Sequence, residues 1–179
     1  GAEVDYIEGF EEEIKNNLNK YGEYLEDSIL SVHMIKIEDK YYCMDFSCEE
    51  FGKIVNLLGS IESVYNLYYE TLIKAINSDL GKYKPKRIGH LNLVRKYNKK
   101  FPYDYSNNKK LKELVKLISD RGYELDYNIA GLFKEDCGET YISGYLAELI
   151  KQYNIKLVLG SDSHSAKYID KYEELNEHI

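Results

Sequence analysis

Short β-branched runs alternate with amphipathic stretches along this chain, and that alternation restricts its fold more than any other feature. Ile155, Leu157, Val158 and Leu159 read as an apolar run over 155–159 that predicts a strand buried on both faces of a parallel sheet. Residues 1–6 read as the tail of a strand, 28–37 as a second strand, 87–91 as a short one and 123–128 as an alternating one. The intervening stretches are helical. Apolar residues at 10, 14, 18 and 21 form a stripe that Gly22 stops. Ser47-Cys-Glu-Glu50 is a capping box opening a helix that ends near Gly59. Ile61, Val64, Leu67, Tyr68, Leu72 and Ile76 stripe a helix over 60–77. Asn107 or Asn108 caps a helix carrying Leu111, Leu114, Val115 and Ile118, which Gly122 closes. Further helices are expected over 143–153 and from Ser165 nearly to the end. Five strands, each followed by helix, imply right-handed crossovers and a parallel sheet.

A chain of 179 residues is enough for one domain with its own core, so disulfide or metal staples are not needed for folding. The 24 basic residues are outnumbered by 31 acidic ones and scattered among them, for a net charge of −7. That balance argues against a nucleic-acid surface, which needs a clustered positive face. The densest basic stretch, 82–87 with Lys96, Lys99 and Lys100, reads as a solvated loop. There is no run of 18 apolar residues and no charged-then-apolar leader, so a cytoplasmic setting without membrane partners is expected. Cys43, Cys48 and Cys137 are an odd set without CxxC spacing and read as reduced thiols.

Three of the four histidines, His33, His90 and His164, lie on or just after predicted strands, where the loops of a parallel α/β fold converge on a site. His178 falls in the terminal helix. Asp162 and His164 are two apart after a buried strand, so their side chains project together. A carboxylate and an imidazole so placed suit a divalent metal; equally, the Asp-Ser-His turn caps the next helix through Ser165. Glu3-Val-Asp5 leaves the first strand and either supplies a metal-bridging carboxylate or begins an acidic helix surface. No nucleophile elbow, Walker loop or dinucleotide fingerprint is present.

The order Glu3-Val-Asp, Ser31-Val-His33, Ile88-Gly-His90-Leu, Asn128-x-x-Gly131-Leu and Gly160-Ser-Asp162-x-His164 resembles the histidinol-phosphatase branch of the polymerase and histidinol phosphatase (PHP) superfamily of metal-dependent phosphoesterases. The resemblance covers almost the whole chain. It implies a distorted seven-stranded, TIM-like β/α barrel with up to three zinc, iron or manganese ions at the strand ends. Residues 1–179 would be the C-terminal part of a single catalytic domain, its last five β/α units. The resemblance further implies that Glu3 bridges two metals, that His33 and His90 ligate one of them, and that Asp162 and His164 complete other positions. An H-x-H pair and two further ligands of the family would lie upstream. Two positions depart from the family pattern: Asn92 stands where Asp often follows Gly-His-Leu, and Leu30 where Gly commonly precedes Ser-Val-His.

The activity so implied is hydrolysis of a phosphate monoester, with L-histidinol phosphate, in histidine biosynthesis, as the favoured substrate. The attacking group would be a metal-bridging hydroxide held by Glu3 and Asp162. Arg95 and Lys134 are the candidate cations for the phosphate, each equally readable as an exposed loop residue. Asn128 either orients a ligand or substrate, or ends a strand. The alternatives are another small phosphorylated metabolite as substrate, or a non-catalytic metal-binding scaffold. An incomplete barrel leaves an open strand edge, which allows a homodimer to form there.

Overall fold

A computed structural model describes residues 2–160. In chain order the elements are β1 (Ala2–Asp5), α1 (Glu11–Tyr21), β2 (Ser28–Ser31), β3 (Met34–Ile37), β4 (Lys40–Cys43), α2 (Cys48–Leu58), α3 (Ile61–Asn77), β5 (Arg87–Ile88), α4 (Lys109–Asp120), β6 (Glu124–Asn128), α5 (Gly144–Gln152) and β7 (Leu157–Gly160). Five strands pair in parallel in the order β1-β2-β5-β6-β7. Neighbours in the sheet therefore follow chain order, and each crossover steps in the same direction. The expected α/β architecture is present.

The register decides which side chains share a face. Val4 pairs Leu30, Leu30 pairs Ile88, and Ile88 pairs Leu125. These apolar residues alternate with Glu3, Asp5, Ser31, Asp126 and Asn128, so one face of the sheet is apolar and the other polar. Leu30, Ile88 and Leu125 are fully buried in a core shared with Val64, Tyr65, Tyr68, Tyr69 and Leu72 of α3 and Leu114 and Ile118 of α4. At about 25 cal/mol per Å², full burial of one such aliphatic side chain is worth about 2 kcal/mol.

Helix boundaries follow local chemistry. Ser47 Oγ accepts from Glu50 N–H at 3.1 Å, Ser60 Oγ accepts from Ser63 N–H at 3.1 Å, and Asn108 Oδ1 accepts from Leu111 N–H at 2.9 Å. Only half of the Ser47 capping box is made, because the Glu50 carboxylate accepts from Lys53 at 2.7 Å. Gly59 ends α2 at φ +78°, a left-handed conformation that glycine adopts without strain.

Three expectations are corrected. The predicted strand over 28–37 is two strands broken at Val32-His33, and its second half pairs with β4 as an antiparallel hairpin. The strand expected over 87–91 stops at Ile88, because His90 turns to φ +25° and a 3-10 turn follows at Leu93–Arg95. The apolar run at 155–159 does not lie in a strand buried on both faces: β7 pairs only with β6 among the described residues, and Leu157 and Leu159 are 41% and 42% exposed. The helix predicted from Ser165 lies outside the described residues. The three cysteines are free thiols, Cys137 buried and the other two half-buried.

Candidate metal centre

Parallel strands bring their C-terminal ends to one edge, and the polar residues gather there. Glu3 lies on β1, His33 two residues after β2, and His90 two residues after β5. Their donor atoms all fall within 4.8 Å of one another, the one such cluster of potential ligands among the described residues. Glu3 Oε1 is 2.9 Å from His90 Nε2 and 3.9 Å from His33 Nε2. The two imidazole centroids are 4.8 Å apart. The hydrogen bond from His90 outweighs burial, and with smaller contributions from Ser31 and His33 it holds the Glu3 carboxyl down at about 2.

Each histidine is positioned by its strand exit. His33 Nδ1 lies 2.5 Å from Asp5 Oδ1, so with the proton on Nδ1 the Nε2 lone pair faces Glu3. Burial disfavours the His33 cation, but the hydrogen bond and charge of Asp5 prevail and raise its pKa above the ordinary histidine value. The following hairpin returns to the same point, where Met44 N–H donates to the His33 carbonyl at 2.9 Å. Asp45 is next, and burial, which would raise its pKa, is outweighed by the charges of Lys96 and His33. Lys96 Nζ donates to the Asp45 carbonyl at 2.6 Å and to its carboxylate at 3.1 Å, and Tyr97 donates to the same carbonyl at 3.0 Å. The hairpin that follows His33 is thus tied to the turn that follows His90.

The donor chemistry fits a metal. One carboxylate and two imidazoles converge, His33 carries the carboxylate partner typical of a ligating histidine, and the buried His90 Nδ1 has no hydrogen bond of normal geometry.

The remaining expected site residues are distributed differently. Asp162 and His164 lie outside the described residues. Arg95 is nearly buried, paired through Nε with Glu139 and stacked over the Tyr105 ring at 4.5 Å. Burial works against its charge and Glu139 restores it, so its pKa is raised. Asn128 ends β6, its Oδ1 accepting from Ala130 N–H at 2.9 Å. Lys134 is exposed just beyond the 3-10 turn at Ala130–Phe133. Asp45 and Lys96 were not singled out as site residues by the sequence, and Asp5 entered only within the Glu3-Val-Asp5 candidate, with no role of its own. Asp5 had a signal, since it shares the Glu3 face by strand parity, whereas Asp45 reaches the centre only through the unforeseen hairpin.

Fold and site together define a parallel α/β unit with a carboxylate and bis-histidine centre at its strand ends. No family model matches the chain. It is 45% identical over 170 residues to a curated protein of Bacillus subtilis (strain 168) named histidinol-phosphatase, an alignment covering 93% of this chain and 63% of that protein. It superimposes at a TM-score of 0.90, with 36% identity, on a crystal structure from Listeria monocytogenes provisionally named histidinol phosphatase; the match covers 99% of this chain and 66% of that one. The chain thus spans just under two thirds of the length of either relative.

Proposed function

We propose that this chain contributes to a metal-dependent phosphomonoesterase that hydrolyses L-histidinol phosphate to L-histidinol and phosphate. The observation that carries this reading is the meeting of Glu3, His33 and His90 at adjoining parallel strand ends, in a chain 45% identical to a protein named histidinol-phosphatase. The chain-order winding of the five parallel strands is also that of a β/α barrel segment, in keeping with the proposed PHP architecture.

Glu3, His33 and His90 would hold a divalent cation such as zinc, iron or manganese, with Asp162 and His164 as further proposed ligands. When bound, such a cation supplies Lewis-acid polarisation of phosphoryl oxygens and acidifies water. Glu3 is suited to this role because it is fully ionised at neutral pH. Asp5 keeps the His33 proton on Nδ1 and its lone pair toward the centre. Arg95, held by Glu139 at the edge of an aromatic cluster, would serve the phosphate only by exchanging that partner, whereas exposed Lys134 has no such barrier.

The test is phosphate release from L-histidinol phosphate, measured with zinc, manganese or ferrous ion and compared with a panel of small phosphorylated metabolites. Metal-dependent release favouring histidinol phosphate is expected. Preference for another metabolite would replace the substrate. Metal binding without turnover of any ester would favour the scaffold reading for this chain.

A further inference from the structure

Ser31 is fully buried at the end of β2, on the same sheet face as Glu3 and Asp5, yet its hydroxyl makes no hydrogen bond of normal geometry. A buried hydroxyl left in that state carries a desolvation cost that an alanine would not. The surrounding backbone is nevertheless arranged to keep it. Tyr6 N–H donates to the Ser31 carbonyl at 2.8 Å, and Gly89 N–H donates to the Leu30 carbonyl at 3.0 Å, so Ser31 is held between the exit of β1, which carries Glu3, and the exit of β5, which leads to His90. A Cβ on Gly89 would lie 2.3 Å from Ser31 Oγ. The glycine before His90 therefore leaves the space that the hydroxyl occupies. By strand register Ser31 stands opposite Asp5 and diagonal to Glu3, on the face from which both carboxylates project.

We infer that Ser31 is a positioning residue for the metal centre: its hydroxyl, seated in the gap left by Gly89, fixes the Glu3 carboxylate in the orientation that lets it share a cation with His33 and His90. This inference rests on the metal-dependent reading above. A buried hydroxyl with no other hydrogen-bond partner is suited to the task, because its proton is available to the neighbouring carboxylate. Such outer partners of metal ligands typically account for 10- to 100-fold in metal affinity.

The test measures manganese and zinc affinity by calorimetric titration, together with the melting temperature of the metal-free chain, for wild type, S31A, G89A and the double variant. S31A is expected to lose 10- to 100-fold in affinity while its metal-free melting temperature stays level or rises. A residue needed only for packing would lower both. G89A is expected to weaken binding to a similar degree by displacing the hydroxyl, and S31A/G89A to be no weaker than G89A alone. Wild-type affinity in S31A, against measurable binding by the parent, overturns the role of Ser31 and leaves the metal centre standing. A parallel fall of affinity and metal-free stability in S31A also overturns it. A parent chain that binds neither ion overturns the metal-dependent reading, and the Ser31 inference with it.

Discussion

Raising the pH should unfold this protein through its buried phenols, and the slope can be worked from α3. Tyr65, Tyr68 and Tyr69 are each 0% exposed. Burial pushes all three phenols well above the ordinary tyrosine value of 10. Below pH 10 these groups are neutral in both states and the stability linked to them is fully present. Above it the unfolded chain loses protons that the folded chain keeps, so stability falls as pH rises. At pH 11 each unfolded phenol is about 0.9 ionised, and three together give a loss of about 4 kcal/mol per pH unit. Against a typical stability of about 5–15 kcal/mol, unfolding should follow within about 1.5–4 units above pH 10. Absorbance at 295 nm and circular dichroism at 222 nm, read on the same samples, check this. Exposed tyrosines should titrate first with the dichroism unchanged, and the buried set should then ionise in one step as helix is lost. The Tyr68 hydroxyl has no hydrogen bond of normal geometry, so Tyr68→Phe should leave neutral-pH stability unchanged or higher and lower the alkaline slope by about 1.2 kcal/mol per pH unit, a third of what these three phenols contribute. Ionisation of all 19 tyrosines with native dichroism would refute the burial argument.

Other outcomes follow from the centre and the sheet. Asp5→Asn should weaken zinc or manganese binding by about 10- to 100-fold without changing the far-ultraviolet spectrum, measured by titration, because the His33 ring loses its carboxylate partner. Metal at 100 times its dissociation constant should stabilise the chain by about 2.7 kcal/mol, a rise of about 5–10 °C in melting temperature that a chelator reverses and His90→Ala abolishes. Gly160→Ala should destabilise by about 1–3 kcal/mol in a urea titration, because its Cβ would fall on the carboxylate of the buried Asp126.

Elements whose determinants are local were legible in the sequence. Ser47 and Asn108 each cap a helix through the third amide onward, and the spacing of α4 gave its buried residues; the α3 stripe held Val64, Tyr68, Leu72 and Ile76 but missed the buried Tyr65, Tyr69, Thr71 and Ala75 and included the half-buried Ile61 and Leu67. The β3–β4 hairpin was not legible, since its turn at Glu38-Asp39 puts a glutamate at φ +54° where the usual signal is glycine or asparagine. The exposure of β7 was hidden because an apolar run has the same composition in the middle of a sheet as beside its edge. Glu3, His33 and His90 could be nominated from strand ends and motif order. Their convergence depends on β1, β2 and β5 being adjacent, which pairwise register decides and a single sequence does not state.

The two departures from the pattern of the family that the sequence resembles fall on packing, not on the proposed ligands. Leu30 lies on the apolar sheet face, opposite Glu3 and Ser31, where it is fully buried beside Val4 and Ile88. A glycine there would remove core volume without altering the polar face. Asn92 is buried in the turn that follows His90, and its Oδ1 accepts from the Tyr69 hydroxyl at 2.7 Å. A neutral amide meets that phenol without the cost of a buried charge. The turn is also closed by Leu93 N–H donating to the His90 carbonyl at 2.8 Å. Tyr69 therefore connects the phenol layer of α3 to the loop that presents His90. Loss of that bond should loosen metal binding before it unfolds the chain, so in Tyr69→Phe affinity should fall more steeply than melting temperature. Unchanged affinity alongside a lowered melting temperature would show that the connection stops at the core.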